Sequence, residues 1–334
     1  MKSTVIFKDV EQEALLTKLN EKRFSKIVRE ISENFTTCRS KIDRYAGSEE
    51  YVSAYTWFYL PTNKPKFGFL LDNLSEGLRD LFFKHPFIEY GSGPGTYGWA
   101  LIDYAEAMNK EIQPGLTFVD TSKQMLRQAR KIHALNYPDT ILANFLSEYP
   151  NHALEKPILF FGNSINEMSV AEVKKILKKV DPIVFSFIEP GTKETFKPIK
   201  EIRKLLLESD FEVVYPCMSG HTCPIENVYN WCHQVVMPEY QPSILRKMQL
   251  CGIDRKSLPM TAHVYVKKEL SSQKQTVDPQ ASSVFRFLGE SKGTIDFEVC
   301  KPHQSKLEVV KIEIEKRSLK KKDIKLLKTI SSGM

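Results

Sequence analysis

The chain has 334 residues, 42% of them hydrophobic, and a net charge of +7 at neutral pH, an ordinary globular composition with enough chain for a full core and a smaller second module. No apolar run is long enough to cross a bilayer. The opening MKSTVIFKDVEQEALL lacks the regions of a secretory signal and is too acidic for a mitochondrial presequence, so a bacterial-type cytoplasm is expected ahead of the mitochondrial matrix.

Residues 10–45 read as a helix, because Leu15, Leu16, Leu19, Phe24, Ile27, Val28, Ile31 and Phe35 recur at helical spacing with charges between them. A second apolar stretch, Tyr51–Leu60, stops at Pro61, and a third helix is expected over Phe69–Phe83. Residues 1–84 thus form a helical N-terminal region. From Pro86 the pattern changes. Phe87–Tyr90, Leu116–Val119, Thr140–Ala143, Ile158–Phe161 and Ile183–Ile188 are short apolar strands, with helices such as Lys123–Leu135 and Val170–Lys179 between them. Such alternation predicts a parallel sheet covered on both faces. Phe211–Tyr215 and His263–Val266 are expected as late strands of that sheet, giving a core over 85–270. Leu270–Ser283 reads as a polar linker. Ser283–Phe287, Gly293–Cys300 and Leu307–Ile314 then suggest a small β module over 284–316, followed by a basic tail over 317–334. Lys311 to Lys328 holds eight basic residues against three acids, which suits either a solvated tail or one that contacts RNA phosphates.

The most informative run is Phe87-Ile-Glu-Tyr-Gly91-Ser-Gly93-Pro-Gly95-Thr-Tyr-Gly98. It follows a strand and opens a helix, where glycines let a backbone approach a ligand and helix amides face it. Gly93, Gly95 and Gly98 alone match the dinucleotide spacing. Glu89, two residues before Gly91, instead gives the form in which a carboxylate accepts from the ammonium of a methionine. The next strand ends at Asp120, placed to grip two ribose hydroxyls in either cofactor type. The run Val119-Asp-Thr-Ser-Lys-Gln-Met-Leu126, taken with Glu89, resembles class I S-adenosylmethionine-dependent methyltransferases. That resemblance implies a doubly wound, Rossmann-like α/β core and S-adenosylmethionine as cofactor, held by Glu89, Gly91, Gly93, Gly95 and Asp120. Ligands of such sheets bind beyond the carboxyl ends of the strands. Asn144, after the third strand, is therefore expected near an adenine, and Asn163, in Gly162-Asn-Ser-Ile-Asn-Glu167 after the fourth, near cofactor or substrate. Glu189-Pro-Gly-Thr192 either lines the pocket or is an ordinary turn. Neither an N-P-P-Y nor a D-P-P-Y tetrapeptide follows the fourth strand, so no catalytic acid or base is legible.

Six cysteines are present: Cys38, Cys217, Cys223, Cys232, Cys251 and Cys300. Four fall between 217 and 251, without a C-x-x-C pair, which leaves a metal site and buried structural thiols both open. Thiolates suit zinc or an iron–sulfur cluster, and His221 and His233 are substitute ligands for zinc.

The glycine loop, Ile165-Asn-Glu167, Glu189-Pro-Gly-Thr192, Pro216-Cys217 with His221-Thr-Cys223-Pro224, Trp231-Cys-His233 and Val299-Cys300-Lys-Pro302 occur in one order. Together they resemble the methyltransferase-like family of mitochondrial small-ribosomal-subunit proteins and assembly factors, with its bacterial relatives. The resemblance covers most of the chain. It implies a role in small-subunit maturation, with the subunit and its ribosomal RNA as partners and a monomer off the ribosome. It also implies a [4Fe–4S] cluster on Cys217, Cys223, Cys232 and Cys300, with Cys38 and Cys251 structural. For this chain it leaves two roles open, RNA methyl transfer and non-catalytic assembly. Gln234-Val-Val-Met237 stands where the family often has basic residues.

Overall fold

The computed structural model describes residues 5–36, 46–112, 115–138, 142–149, 154–217, 219–225, 231–273, 283–304, 306–321, 323 and 324. Its first long helix, α1 (Glu21–Thr36), starts where the Asn20 side chain accepts from the Arg23 amide at 2.9 Å. The single helix expected over residues 10–45 is therefore corrected. Before Asn20 there is only a 3-10 turn, Gln12–Ala14, and residues 37–45 lie outside the described residues. The reason is tertiary. The amides of Leu16 and Thr17 donate to Gln128 Oε1 (2.9 Å) and Ser53 Oγ (3.0 Å), so the donors a helix would use internally are satisfied from elsewhere.

The second helix also departs from expectation. α2 (Glu49–Asp72) runs straight through Pro61 and Pro65. An interior proline costs about 3 kcal/mol. Burying Phe58, Leu60, Phe67, Leu70 and Leu71, all fully covered, returns about 1.5–3 kcal/mol per side chain, which decides the outcome. The helix expected over Phe69–Phe83 is then two helices. α2 closes at Asn73, and Ser75 caps α3 (Glu76–Lys84). A buried ion pair fixes the N-terminal segment to this layer. Lys64 Nζ lies 2.8 Å from Asp103 Oδ2 and 2.9 Å from the Tyr137 hydroxyl, and it donates to the Lys8 carbonyl.

The central strands follow as β1 (Phe87–Tyr90), β2 (Leu116–Val119), β3 (Ala143–Leu146), β4 (Ile158–Gly162) and β5 (Val184–Pro190), all paired parallel. Beyond them lie β6 (Phe211–Tyr215), the short β7 (Gln234–Val236) and β8 (Leu258–Lys267). The order is β3-β2-β1-β4-β5-β8-β6, with β8 antiparallel between β5 and β6 and carrying β7 at one end. This is a doubly wound, Rossmann-like α/β sheet, as expected. The third strand is shifted from the expected 140–143, and residues 139–141 lie outside the described residues.

Helices cover both faces because the strands are apolar on both. Phe87 and Phe160 join the core formed with α2, α3, α4 (Thr96–Ala107) and α5 (Lys123–Asn136). Ile88, Leu159 and Phe161 point the other way, into the core under α6 (Val170–Val180) and α7 (Lys193–Glu208). A third cluster joins α1, the start of α2 and α8 (Pro242–Cys251), and Cys251 is buried in it. β9 (Ser283–Glu290), β10 (Thr294–His303) and β11 (Lys306–Glu315) form a separate antiparallel sheet packed on Ile295, Phe297 and Val299. In the basic stretch, Lys311 pairs with Asp296 (2.9 Å), Lys316 with Glu290 (2.6 Å) and Arg317 with Glu315 (2.7 Å). Its first three cations are thus occupied within the module, and residues 325–334 lie outside the described residues.

Candidate functional site

The chain reverses direction across the sheet between β1 and β4, whose neighbours run outward on either side. Open α/β sheets bind ligands at that point, beyond the carboxyl ends of the strands. A cavity of about 310 Å³ lies there, within the range of small-ligand sites. It is bounded by the glycine loop after β1, Asp120 after β2, Ser147 after β3 and Asn163 after β4, with Tyr55 from α2 on the remaining side.

The glycines of the loop have different tasks. Gly95 is left-handed (φ +87°) and is the N-cap of α4, where a Cβ would strike Trp99 and Phe118. Gly93 is also left-handed (φ +54°), yet a Cβ there would meet nothing within 4 Å. Its missing side chain leaves space beside the cavity instead of accommodating the core. Gly91, against Ser164, is a packing position.

The two acids are bound to backbone. Asp120 Oδ2 accepts from the Gly93 amide (2.7 Å) and Oδ1 from the Ser122 amide (2.8 Å), so the carboxylate holds the glycine loop and the entry to α5 together. Burial pushes its pKa up, and those two amides act against the rise. Glu89 is 1% exposed. Its oxygens accept from the Tyr97 and Gly98 amides at 3.2 and 2.7 Å, at the positive end of the α4 dipole. Burial nonetheless pushes Glu89 up to about 8. It lines the cavity and also takes up two amides of the first turn of α4.

Asn163 has φ +56°, and its side chain donates to the Tyr97 hydroxyl at 3.0 Å. Asparagine is among the few side chains that tolerate this backbone region. Its loop is fixed by Glu189, which lies inside β5 and not in a turn. Glu189 Oε1 accepts from the Ser164 and Ile165 amides (2.8 and 2.9 Å), and Oε2 accepts from the Asn166 side chain. Burial raises Glu189 to about 7. Asn144 is not in the cavity. It sits within β3, paired with Thr117 and exposed, while Ser147 lines the cavity beyond the strand end. The expectation for Asn144 is corrected: placing the strand at 140–143 put its carboxyl end three residues early. Tyr55, Tyr97 and Ser147 were missed, since nothing local distinguishes an aromatic residue on a buried helix from core.

A second site lies against the outer side of α7. Cys217 after β6, Cys223, Cys232 before β7 and Cys300 on β10 all line one cavity of about 30 Å³. The cis Tyr215–Pro216 peptide leads into it. Phe196, Ile225, Trp231 and Val309 pack around the thiols. Burial pushes Cys217 and Cys232 up and Cys300 up to about 12. The neighbouring cysteines add to each of these shifts, and the Arg203 guanidinium pulls each the other way. Among the described residues no group of three or more His, Cys, Asp or Glu side chains is arranged to hold a metal ion. His221 is exposed and His233 stacks on Trp231 at 5.6 Å, and neither lines the cavity. Arg203 and His263, which no local motif marked, do line it. Cys251 is far from this group in the helical cluster, and Cys38 lies outside the described residues.

The two sites are joined. The Trp231 indole donates to the Gly191 carbonyl (2.9 Å), and Thr261 Oγ1 donates to the Cys232 carbonyl (3.2 Å). Thr261 is the β8 partner of Glu189, which fixes the Asn163 loop.

The family model of the mitochondrial small ribosomal subunit protein Rsm22 matches residues 49–319. No curated protein matches the chain. Several solved structures are similar. Magnesium protoporphyrin IX methyltransferase of Synechocystis PCC 6803, with bound SAH, is 12% identical over 73% of this chain and 100% of its own, at a TM-score of 0.32. A protein of Burkholderia thailandensis bound to S-adenosyl-homocysteine is 10% identical over 62% and 76%, at 0.41. The METTL16 methyltransferase domain is 13% identical over 62% and 68%, at 0.32. Likeness at this level transfers neither ligand nor activity.

Proposed function

Because this chain belongs to the Rsm22 family of the mitochondrial small ribosomal subunit, we propose that it binds S-adenosylmethionine and methylates ribosomal RNA during small-subunit maturation. The observation that carries this reading is the cavity beyond β1 and β4, where Gly93 leaves open space and Asp120 stands at the end of β2. The residues present fit the cofactor. Asp120 keeps lone pairs for two ribose hydroxyls, Glu89 offers a buried carboxyl that a nearby ammonium group would draw back toward its ionised form, and Tyr55 and Met125 supply apolar walls. When bound, S-adenosylmethionine supplies an electrophilic methyl group on a sulfonium. The chain's own residues orient and shield it: Asn163 and Tyr97 hold the floor after β4, and Glu189 fixes the loop that carries Asn163.

The four-cysteine cavity is read as a [4Fe–4S] site. A single zinc needs its ligands about 2.3 Å from one point. The four thiols line one cavity, a set of four cysteines that an iron–sulfur cluster takes as its ligands. Two buried nitrogens without partners among the described residues, Arg203 Nε and His263 Nε2, belong to the same lining and suit sulfur acceptors. The cluster's place is structural: it ties β10 to the loops between β6 and β7.

A non-catalytic assembly factor is the second reading. It is favoured by the engagement of Glu189, whose carboxyl takes three donors from the loop after β4 and is thereby occupied in holding that loop. Calorimetry with S-adenosylmethionine, followed by a labelled-methyl assay on immature small subunits, separates the two. Binding with transfer supports the enzyme, and binding without transfer supports the assembly factor. No binding removes the cofactor assignment. No described helix is long and apolar enough to cross a membrane.

A further inference from the structure

Six buried side-chain polar atoms lack a hydrogen-bond partner among the described residues, and two of them belong to residues lining the cysteine cavity. Arg203, on α7, is 5% exposed. Its Nη2 donates to the Ser219 and His221 carbonyls at 3.1 and 2.7 Å, inside the loop that carries Cys217 and Cys223, and its buried Nε has no partner. His263, on β8, is 3% exposed and stacks on Phe187 at 5.1 Å. Its Nδ1 is engaged with the Tyr265 hydroxyl at 2.8 Å, and its buried Nε2 has no partner.

With the His263 ring accepting from the Tyr265 hydroxyl at Nδ1, its proton sits on Nε2. Buried donors are almost always satisfied, so the two N–H groups at one small cavity need an acceptor. The nearest candidates by chemistry are the sulfurs. A neutral thiol is a weak acceptor. A metal-bound thiolate or a bridging sulfide carries negative charge and accepts N–H readily. The fork geometry of Arg203 adds a second element, since the contacts that place Nε also hold the Cys217–Cys223 loop in shape.

We propose that Arg203 and His263 are the N–H donor pair of the four-cysteine centre, Arg203 through Nε and His263 through Nε2, both acting on its sulfurs and neither ligating iron. They are positioning residues. Hydrogen bonds to sulfur stabilise the reduced, more negative state of a cluster and so raise its potential, and they retain the cluster against loss. The inference rests on the iron–sulfur reading of the site.

The test uses the full chain purified and reconstituted without oxygen. Iron and acid-labile sulfide per chain, the visible spectrum, the midpoint in a dithionite titration and the rate of bleaching in air are measured. His263→Phe keeps the ring stack and removes Nε2 together with the Nδ1 contact to the Tyr265 hydroxyl, and Tyr265→Phe, which loses that contact alone, is its control. His263→Phe is expected to hold wild-type iron, with a midpoint moved to more negative potential and bleaching several-fold faster. Arg203→Lys retains the charge without the fork and is expected to fall between wild type and Arg203→Met. Should Arg203→Met fail to fold, the lysine and phenylalanine variants carry the test. Wild-type midpoint and bleaching in His263→Phe overturn the donor assignment. Loss of iron in His263→Phe as complete as in Cys223→Ser also overturns it, by making His263 a ligand. A wild-type chain without iron and sulfide overturns the cluster reading itself, and the donor pair with it, distinguishably from the other two results.

Discussion

At the scale of single residues, the glycines beside the crevice beyond β1 and β4 divide into packing positions and one open position. Gly91 and Gly95 cannot accept a Cβ because neighbouring side chains fill the space, whereas at Gly93 the space is open. Asp120→Ala and Gly93→Val are therefore expected to weaken S-adenosylmethionine binding by about tenfold or more, corresponding to the roughly 1–3 kcal/mol of a lost buried contact. Calorimetry checks this, and unchanged affinity in both variants would remove the site assignment. Gly93→Val also costs about 1–2 kcal/mol in backbone strain at φ +54°, so its melting temperature must be measured beside its affinity. A pH dependence follows from the buried acids. Glu89 is raised from the ordinary 4.5 to about 8 and Glu189 to about 7. A carboxyl raised on folding contributes stability that is complete below 4.5 and is lost as pH rises through the folded value. Thermal stability is expected to fall between about pH 4.5 and 8, with a shallower slope in Glu89→Gln. Equal slopes in wild type and variant, read from melts across that window, would rule Glu89 out as the source.

At the scale of elements, tertiary burial overrides local preference in α2, and a polar pin holds the N-terminal segment. Lys64 and Asp103 are 2% and 1% exposed in their side chains. Breaking such a buried pair from one side costs about 3–5 kcal/mol, because the remaining charge stays buried. Lys64→Met is expected to lose that much in urea unfolding. The double variant Lys64→Met with Asp103→Leu should recover most of it. A double variant no more stable than the single one would show that Asp103 matters chiefly through Tyr137 and the Lys8 amide, its other partners.

At the scale of the whole molecule, the small sheet meets the doubly wound core at the cysteine cavity, where Ser283, Cys300 and Leu307 come from the sheet and the other three cysteines precede the linker; the proposed cluster would bridge this junction through Cys300. Metal binding at such a junction becomes folding free energy for it. Removing iron is expected to speed amide exchange in β9, β10 and β11 well before β1, β4 and β5. Uniform exchange across both sheets would contradict a clamp at this junction. The basic stretch makes a separate prediction. Lys311, Lys316 and Arg317 are already paired, so any phosphate contacts must come from Lys320 onward. Truncation after Leu319 removes Lys320, Lys321, Lys322, Lys325 and Lys328. It is expected to flatten the salt dependence of RNA binding, each lost contact reducing the log–log slope by about 0.7–0.9. An identical slope would make this stretch a solvated tail.

The sequence by itself determined the strand–helix alternation, the glycine loop between β1 and α4, and the place of Asp120 at the end of β2. These are local signals, in which period-2 and period-3.6 patterns and glycine spacing are read within a few residues. It misplaced what depends on distant partners. The α2 helix continues through Pro61 because its surroundings are buried. Leu16 and Thr17 stay out of a helix because Gln128 and Ser53 take their amides, and Asn144 leaves the crevice because the third strand lies later than its apolar run. Convergence was likewise beyond local reading. The four cysteines were grouped by a family resemblance, and only the folded chain brings them to one cavity with Arg203 and His263. Those two come from a helix and a strand that carry no motif, because contact in space, and not spacing along the chain, decides which side chains line one cavity.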